Sequence, residues 1–485
     1  MTVVLPKKVT ELDEDLTPSL DDLLFVTNDP DGAPVSKKVS IGNLAKTLSD
    51  HAGVVNVLDY GAKGDGVTDD TAAIQAMLDY AKSLMPSGLK APTVLYFPHG
   101  QYKISSGLTY TPADGNGYTI FRGEYTKTYI FSTDDITALT VGLAGNDTYG
   151  IFIDSIFFRT PVSDSATKPV VKLIRPKIGR IKHCYLTGGS SGIEMDGAID
   201  YEISSNWFEA IRGGLTSSGG IYLHNTSQTG SYNRLYENYI TGLKTNAIMV
   251  RGNAAISIHN NTFGSTQKGV YVDASNDVSI IGNRMRTMGN QLPATLGRGV
   301  ESVNNAYNMV INNNIMNGAM DYGIYIDSDG NGGDGNEINS NRILNVTNGI
   351  VLGAESDHNT VVGNHITNYS GSPISFTKNT QTIKNNRINS EETSFAVNST
   401  TPSVMRHTPI FKTTNSGSTT ITTFSDGTIG QNIKVLIKDA NTIIDFTGTN
   451  LKGNGGADWS PANGDWMECV FDGTNWYCSV HDCTA

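Results

Sequence analysis

Through the middle of the chain, apolar and polar positions recur as a short repeating unit rather than as a helical stripe. Asn206-Trp207-Phe208, Asn238-Tyr239-Ile240, Asn261-Thr262-Phe263 and Asn283-Arg284-Met285 open a series of asparagines followed by apolar positions. It continues through Asn314-Ile315-Met316, Asn341-Arg342-Ile343, Asn364-His365-Ile366 and Asn386-Arg387-Ile388. Successive copies lie 32, 23, 22, 31, 27, 23 and 22 residues apart. Weaker copies precede them at Ser155-Ile156-Phe157-Phe158 and Cys184-Tyr185-Leu186, and several units go on to a glycine and an aliphatic residue, as in Gly269-Val270, Gly299-Val300 and Gly323-Ile324. A period of about 22 residues, with β-branched runs and Asn/Gly turns, predicts a parallel β-solenoid of about three short strands per coil. Asparagine at equivalent turns is expected to adopt the left-handed conformation and to hydrogen-bond along the stack. A propeller would repeat at about 40 residues, and a leucine-rich repeat would show a different leucine pattern.

The flanks read differently. Before the repeat, Leu23–Thr27 and Ser36–Val39 predict a hairpin around Asn28-Asp29-Pro30-Asp31-Gly32, and Ser40 caps a helix over Ile41–Leu48. Val54–Leu58 then predicts a strand, and Asp59–Thr68 a glycine-rich turn. Asp69 and Asp70 are placed as caps of a helix whose apolar positions Ile74, Met77, Leu78 and Ala81 follow helical spacing. After the repeat, runs at Ile410–Lys412, Thr419–Phe424, Asn432–Ile437, Thr442–Phe446, Met467–Phe471 and Trp476–Ser479 predict a β-sandwich, with Trp459, Trp466 and Trp476 in its core. The organisation is therefore residues 1–52 as a small N-terminal module, 53–404 as the β-helix, and 405–485 as a C-terminal sandwich.

Composition narrows the function classes. Lys+Arg number 35 against 47 Asp+Glu, a net charge of −12, which argues against a nucleic-acid partner. Charged residues are only 17% and glycines number 52, which suits a turn-rich β protein rather than a helical bundle. No apolar run of about 18 residues is present for membrane insertion, and the first residues lack the apolar core of a secretory signal. The protein is expected to fold where it is made. Of the four cysteines, Cys469, Cys478 and Cys483 cluster near the end with His481 between them. A zinc site would use these, whereas small buried residues in the core are the simpler expectation.

The segment Val57-Leu58-Asp59-Tyr60-Gly61-Ala62-Lys63-Gly64-Asp65-Gly66-Val67-Thr68-Asp69-Asp70-Thr71 resembles the opening motif of the pectate-lyase-like superfamily. That resemblance implies an all-β, right-handed parallel β-helix acting on polysaccharide. Lys8-Val9-Thr10-Glu11-Leu12, Asp21-Asp22-Leu23-Leu24 and Lys37–Leu44 resemble the N-terminal region of bacteriophage tail proteins. Together the two imply a phage tailspike: a homotrimer made in the host cytoplasm and carried on the virion tail, joined to the tail, baseplate or an adaptor by its N-terminal attachment module at residues 1–52, with residues 405–485 serving trimerisation or carbohydrate binding, and binding or cutting host cell-surface polysaccharide.

Alternation along the strands places the chemistry. If Ile193, Ile221, Ile248, Val270, Val300, Ile324 and Ile350 point inward, then Glu194, Tyr222, Met249, Tyr271, Glu301, Tyr325 and Val351 point outward. Asp196, His224, Arg251, Asp273, Val303, Asp327 and Gly353 follow on the same face. Glycoside hydrolysis needs two carboxyls. Glu301 is assigned as acid and Asp327 or Asp273 as base, at roughly 8 Å between Cα atoms on neighbouring coils; Glu209 and Asp329 are reserves. Tyr222, His224, Arg251, Tyr271 and Tyr325 are assigned to substrate binding. Removal of a proton beside a uronic carboxylate would instead use Arg251, His224, Tyr222 and Tyr271. No metal is assigned to catalysis; Asp327-x-Asp329-x-Asn331-Gly332 begins like a calcium loop, which would place Ca2+ at Asp327, Asp329 and Asn331. Three long repeat spacings mark insertions beside these coils, where solenoids carry binding loops.

Overall fold

The computed structural model describes residues 19, 21–28, 35–44, 53–84, 93–112, 118–213, 217–226, 229–286, 297–327, 334–378, 380–388, 393–404 and 410–483. Among these, Leu23–Asn28 and Val35–Ser40 pair antiparallel, with Leu23 opposite Ser40. A helical turn follows, and the Asn43 N–H donates to Ser40 Oγ (3.1 Å), the capping geometry expected of serine at that position. The remainder of the helix expected over Ile41–Leu48 lies outside the described residues, as do the Asn28–Gly32 turn beyond Asn28 and Asp329 and Asn331 of the suggested calcium loop.

The glycine-rich turn is built by its aspartates. Asp65 Oδ1 accepts from the Val67 and Thr68 N–H groups. Asp70 is placed at the N-cap of the helix Thr71–Ser83, yet its side chain makes no capping bond there. Instead its buried carboxylate accepts from the Lys63 N–H (2.6 Å) and the Gly64 N–H (3.0 Å), tying the turn to the helix. Asp69 takes the capping role, accepting from the Thr71 N–H (3.0 Å) and from Ser105 Oγ (2.5 Å). The helix buries Ile74, Met77, Leu78 and Ala81 over the first coil.

From Val54 the chain winds as a parallel β-helix. One face is a 14-stranded sheet running from Val54–Asn56 to Thr382–Lys384. The other two faces join into a 22-stranded set, because Ile315–Ile326 and Arg342–Leu352 each run round the corner between them. We call the 14-stranded sheet the first face. The face entered after each repeat asparagine is the second, and the face entered after each glycine is the third.

The repeat asparagines form a buried ladder on the corner leading to the second face. Asn206, Asn238, Asn261, Asn283, Asn314, Asn341 and Asn364 are all buried. From Asn238 on, each carboxamide oxygen accepts from the backbone N–H of the asparagine one coil earlier, as in Asn261 N to Asn283 Oδ1 (2.9 Å) and Asn283 N to Asn314 Oδ1 (2.9 Å), while Asn206 accepts from the Cys184 N–H (2.9 Å). The Nδ2 group donates back, to Ile258 O in the case of Asn283. Left-handed conformation falls on the residue before the asparagine, not on the asparagine itself: Ser205, Glu237, Asn260, Asn313, Ser340 and Asn385 all have φ between 54° and 56°. The asparagine side chain satisfies buried donors while its predecessor turns the chain.

The corner glycines are explained by crowding between coils. A Cβ on Gly299 would lie 2.5 Å from Gly323 O and 2.8 Å from Met316 Sδ. Inside, Ile193, Ile221, Ile248, Val270, Val300, Ile324 and Ile350 stack in register and are wholly buried.

Beyond the coils, Thr393–Ser394, Ile410–Lys412, Asn432–Leu436, Trp466–Phe471, Trp476–His481 and Leu451–Lys452 form a six-stranded sheet, and Thr419–Ile421 pairs with Thr442–Ile444. These enclose a separate apolar core around Phe411, Ile433, Val435, Met467 and Trp476. The cysteines depart from expectation. Cys469 and Cys478 face each other across an antiparallel pair and are joined as a disulfide, while Cys184 is buried and Cys483 exposed. His481 stacks on Trp466 (3.9 Å between ring centroids). Among the described residues no group of three or more His, Cys, Asp or Glu side chains is placed to hold a metal ion.

Candidate functional site

The third face presents the outward row Glu194, Tyr222, Met249, Tyr271, Glu301, Tyr325, Val351 in unbroken parallel register. Every other residue of a strand faces outward, so a row of side chains follows from the same register that stacks the core. Beside it, Asp196 pairs with His224 and Arg251 with Asp273 across neighbouring strands.

Two charged clusters stand on this row. In one, Glu301 is only 5% exposed and both its oxygens meet cations: Arg298 at Oε1 and Lys268 at Oε2 (2.6 Å). The Arg298 guanidinium also lies 4.2 Å from the Tyr325 ring centroid, and the Lys268 ammonium 4.4 Å from that of Tyr271. Asp273 accepts from Arg251 Nε (2.7 Å) and Asn304 Nδ2 (2.9 Å). Asp327 closes the cluster on the next coil, accepting the Tyr325 hydroxyl (2.7 Å). Burial first, then the hydrogen bond to Asp327, pushes the Tyr325 phenol up to about 12, and burial with Asp273 and Glu301 does the same for Tyr271. Both remain hydrogen-bond donors at neutral pH.

The second cluster centres on His224, which is 7% exposed. Its Nε2 lies 3.4 Å from Glu194 Oε1 and its Nδ1 3.5 Å from Asp196 Oδ1. Lys172 reaches Glu194 at 2.6 Å, and Thr226 Oγ1 donates to Asp196 at 2.6 Å. Burial raises the Glu194 carboxyl, but the contacts from His224 and Lys172 outweigh it and leave Glu194 below its ordinary value. The Tyr222 ring lies 4.7 Å from that of His224. Burial raises the Tyr222 phenol, against an opposing contribution from neighbouring Arg251.

The structure thus brings together Tyr222, His224 and Arg251 on adjoining coils, and Tyr271, Asp273, Glu301, Tyr325 and Asp327 on the coils that follow. Glu209 stands elsewhere, on the second face, accepting the Tyr185 hydroxyl. Glu194 and Asp196 were legible as outward residues, but their convergence on His224 was not. The cue was present in spacing: Glu194-x-Asp196 and Tyr222-x-His224 put both members of each pair on one side of adjacent strands. A further concavity, about 660 Å³, lies on the first face between Tyr149, Lys177, Ile178, Asp200, Tyr232 and Arg234.

The family model for rhamnogalacturonase A/epimerase, pectate lyase-like, matches residues 54–293. The fold is pectate-lyase-like. The opening motif at Val57–Thr71 and the coils that follow it fall within that match. A second family model, that of the periplasmic copper-binding protein NosD, matches residues 244–423; the described residues of that stretch contain no group of three or more His, Cys, Asp or Glu that could hold a metal ion. Among solved structures, the pectate-lyase-like chain resembles a hyperthermoactive exopolygalacturonase from Thermotoga maritima, with 10% identity, a TM-score of 0.51, and 70% of this chain and 92% of that chain covered. It also resembles the DFA-IIIase of Arthrobacter chlorophenolicus A6, with 13% identity, a TM-score of 0.50, and 65% and 84% covered. These likenesses concern the fold. In sequence, 60 residues are 47% identical to mannuronan C5-epimerase AlgE1 of Azotobacter vinelandii, spanning 12% of this chain and only 4% of that protein's length.

Proposed function

We propose that this protein is a phage tailspike that binds an extended host-surface polysaccharide along the third face of its β-helix and cleaves it there. The observation that carries this reading is the outward row from Glu194 to Asp327, where carboxylates, cations and phenols alternate on successive coils. Phenol rings and paired polar groups suit the apolar faces and hydroxyls of sugars. The carbohydrate-acting names among the relatives support the substrate class. The resemblance of the first 44 residues to phage tail proteins supports attachment to the tail or baseplate by that end, and a homotrimer displayed on the virion.

For hydrolysis, Asp327 is the proton donor and Glu301 or Asp273 the base. The sequence assigns Glu301 as acid, but Lys268 and Arg298 engage both its oxygens, which leaves neither free to carry the proton an acid must deliver. Asp327, whose carboxyl meets the Tyr325 phenol at the end of its strand, suits delivery of a proton to the glycosidic oxygen. A second reading, elimination on a uronic acid, is favoured by the His224 cluster. There His224 would remove the proton and Arg251 would neutralise the uronic carboxylate.

The test is incubation of the purified protein with envelope polysaccharide from its host, read by mass spectrometry. Oligosaccharides that have gained water establish hydrolysis, and unsaturated uronic ends establish elimination. Intact polymer that still binds would reduce the protein to a receptor-binding fibre, and intact polymer that does not bind would overturn the reading altogether. Light scattering that gives a 52.0 kDa particle would refute the trimer.

A further inference from the structure

The second face carries an outward column that the third-face chemistry does not use. From the first coils it reads Tyr129, Phe157, Tyr185, Trp207 and Tyr239, in register on adjacent strands. Their ring centroids are 4.6, 4.3, 5.9 and 4.5 Å apart in sequence. The same column continues through Thr262, Arg284, Ile315, Arg342, His365 and Arg387.

Cross-strand aromatic pairs stabilise a sheet, but this ladder ends in water. Trp207 is 41% and Tyr239 38% exposed. The cationic half offers the fold nothing comparable. Arg284, Arg342 and Arg387 are exposed, and among the described residues no carboxylate lies within ion-pair distance of them. Ile315 and His365 separate the three arginines, so the column gains no cross-strand pair of opposite charge. Burial, together with the positive Arg387 and Arg342, holds the His365 imidazole below its ordinary value, so the field of these guanidiniums is felt locally. On a chain of net charge −12, an uncompensated arginine column continuous with an aromatic ladder is a feature with a target.

We infer that this column is a second saccharide-binding strip, separate from the third-face site, which takes an extended anionic glycan. The Tyr129–Tyr239 rings would stack on apolar sugar faces, and Arg284, Arg342 and Arg387 would take the carboxylate or other acidic substituents. Guanidinium suits such groups because it donates paired hydrogen bonds in a fixed fork. The strip rests on the proposed function only in taking polysaccharide as the ligand class; it requires no cleavage.

The test is native affinity electrophoresis of the full chain through gels containing polygalacturonate or alginate, with neutral dextran as control. The anionic polymers should retard the wild type, more weakly as salt is raised. Combining Trp207→Ala with Tyr239→Ala should weaken apparent affinity about tenfold, and combining Arg284→Ala, Arg342→Ala and Arg387→Ala should abolish the preference for acidic polymers over dextran. Trp207→Phe keeps a ring and should keep most of the binding, which separates stacking from a folding defect. Wild type that neither anionic polymer retards, or variants retarded like wild type, would overturn the proposal. So would light scattering in which the aromatic variant forms a smaller assembly, since the column would then be a contact between copies of this chain. The third-face reading stands or falls separately, on the products formed from host glycan.

Discussion

The Lys268 ammonium lies 2.6 Å from Glu301 Oε2, one coil away and almost out of water. Arg298 holds the other oxygen. Removing the charge at Glu301 leaves two cations facing each other with no anion between them, and breaking a buried pair in this way costs about 3–5 kcal/mol. Glu301→Gln should therefore lower the thermal midpoint as well as any activity. A melt indistinguishable from wild type would show that the network is not coupled to the fold. Lys268→Met combined with Glu301→Gln, which removes one cation with the anion, should recover part of the loss.

Asp327 and His224 divide the two chemistries. Asp327 sits at the end of a strand with its contact to Tyr325, so Asp327→Asn removes a proton donor with little packing change. If the reaction is hydrolysis, turnover should fall by about 100-fold or more, the usual worth of general acid catalysis, with an unaltered melt. His224→Gln should then have the smaller effect. If the reaction is elimination, the order reverses and the products carry unsaturated ends. Turnover by both variants at the wild-type rate would remove the third face from the mechanism.

Much of the fold was legible because a solenoid repeats its physical problem at every coil. The asparagines recur since each coil buries the same donors, and the glycines recur since each corner is equally tight, as Gly299 shows. Alternation then placed Tyr271, Glu301 and Tyr325 outward. What alternation cannot supply is the partner across the coil. Whether Glu301 meets solvent or two cations depends on Lys268, at the start of the neighbouring strand, and Arg298, at the start of its own. The aromatic ladder was visible only in part. Trp207 and Tyr239 follow repeat asparagines directly, and that position faces outward, but the apolar character of both residues reads as core when taken alone. Asp70 shows the same limit locally: a carboxylate before a helix predicts a cap, yet the nearby Lys63 and Gly64 amides compete for it and hold it.

The asparagine ladder makes a sharp prediction at Asn283. Its side chain accepts from the Asn261 N–H and donates to Ile258 O and Asn314 Oδ1, in a site closed to water. Asn283→Ala orphans a buried donor and an acceptor, at about 1–3 kcal/mol for each group left unmade. Asn283→Asp should be worse, because it retains the acceptor while burying a charge. Denaturant midpoints should fall in the order wild type, Ala, Asp. An aspartate variant as stable as wild type would mean that the ladder is open to water.

Glu194 sets a pH dependence whose sign can be worked out. Burial alone would raise its carboxyl, but His224 and Lys172 prevail and hold it below the ordinary 4.5 in the folded chain. A carboxyl depressed on folding contributes stability that is complete above its unfolded value and is lost as pH falls through its folded value. Stability should therefore decline as pH drops below 4.5. Other acidic groups decline with it, so the measurement is the difference between wild type and Glu194→Gln in urea midpoint, taken from about pH 6 down to about pH 3. At pH 6 the variant should be the less stable of the two, since it leaves Lys172 without its anion. The gap should narrow as the pH falls below 4.5. A gap that stays constant over that range would show that Glu194 is not held by its cations in the folded chain, and would remove the electrostatic basis for the His224 cluster.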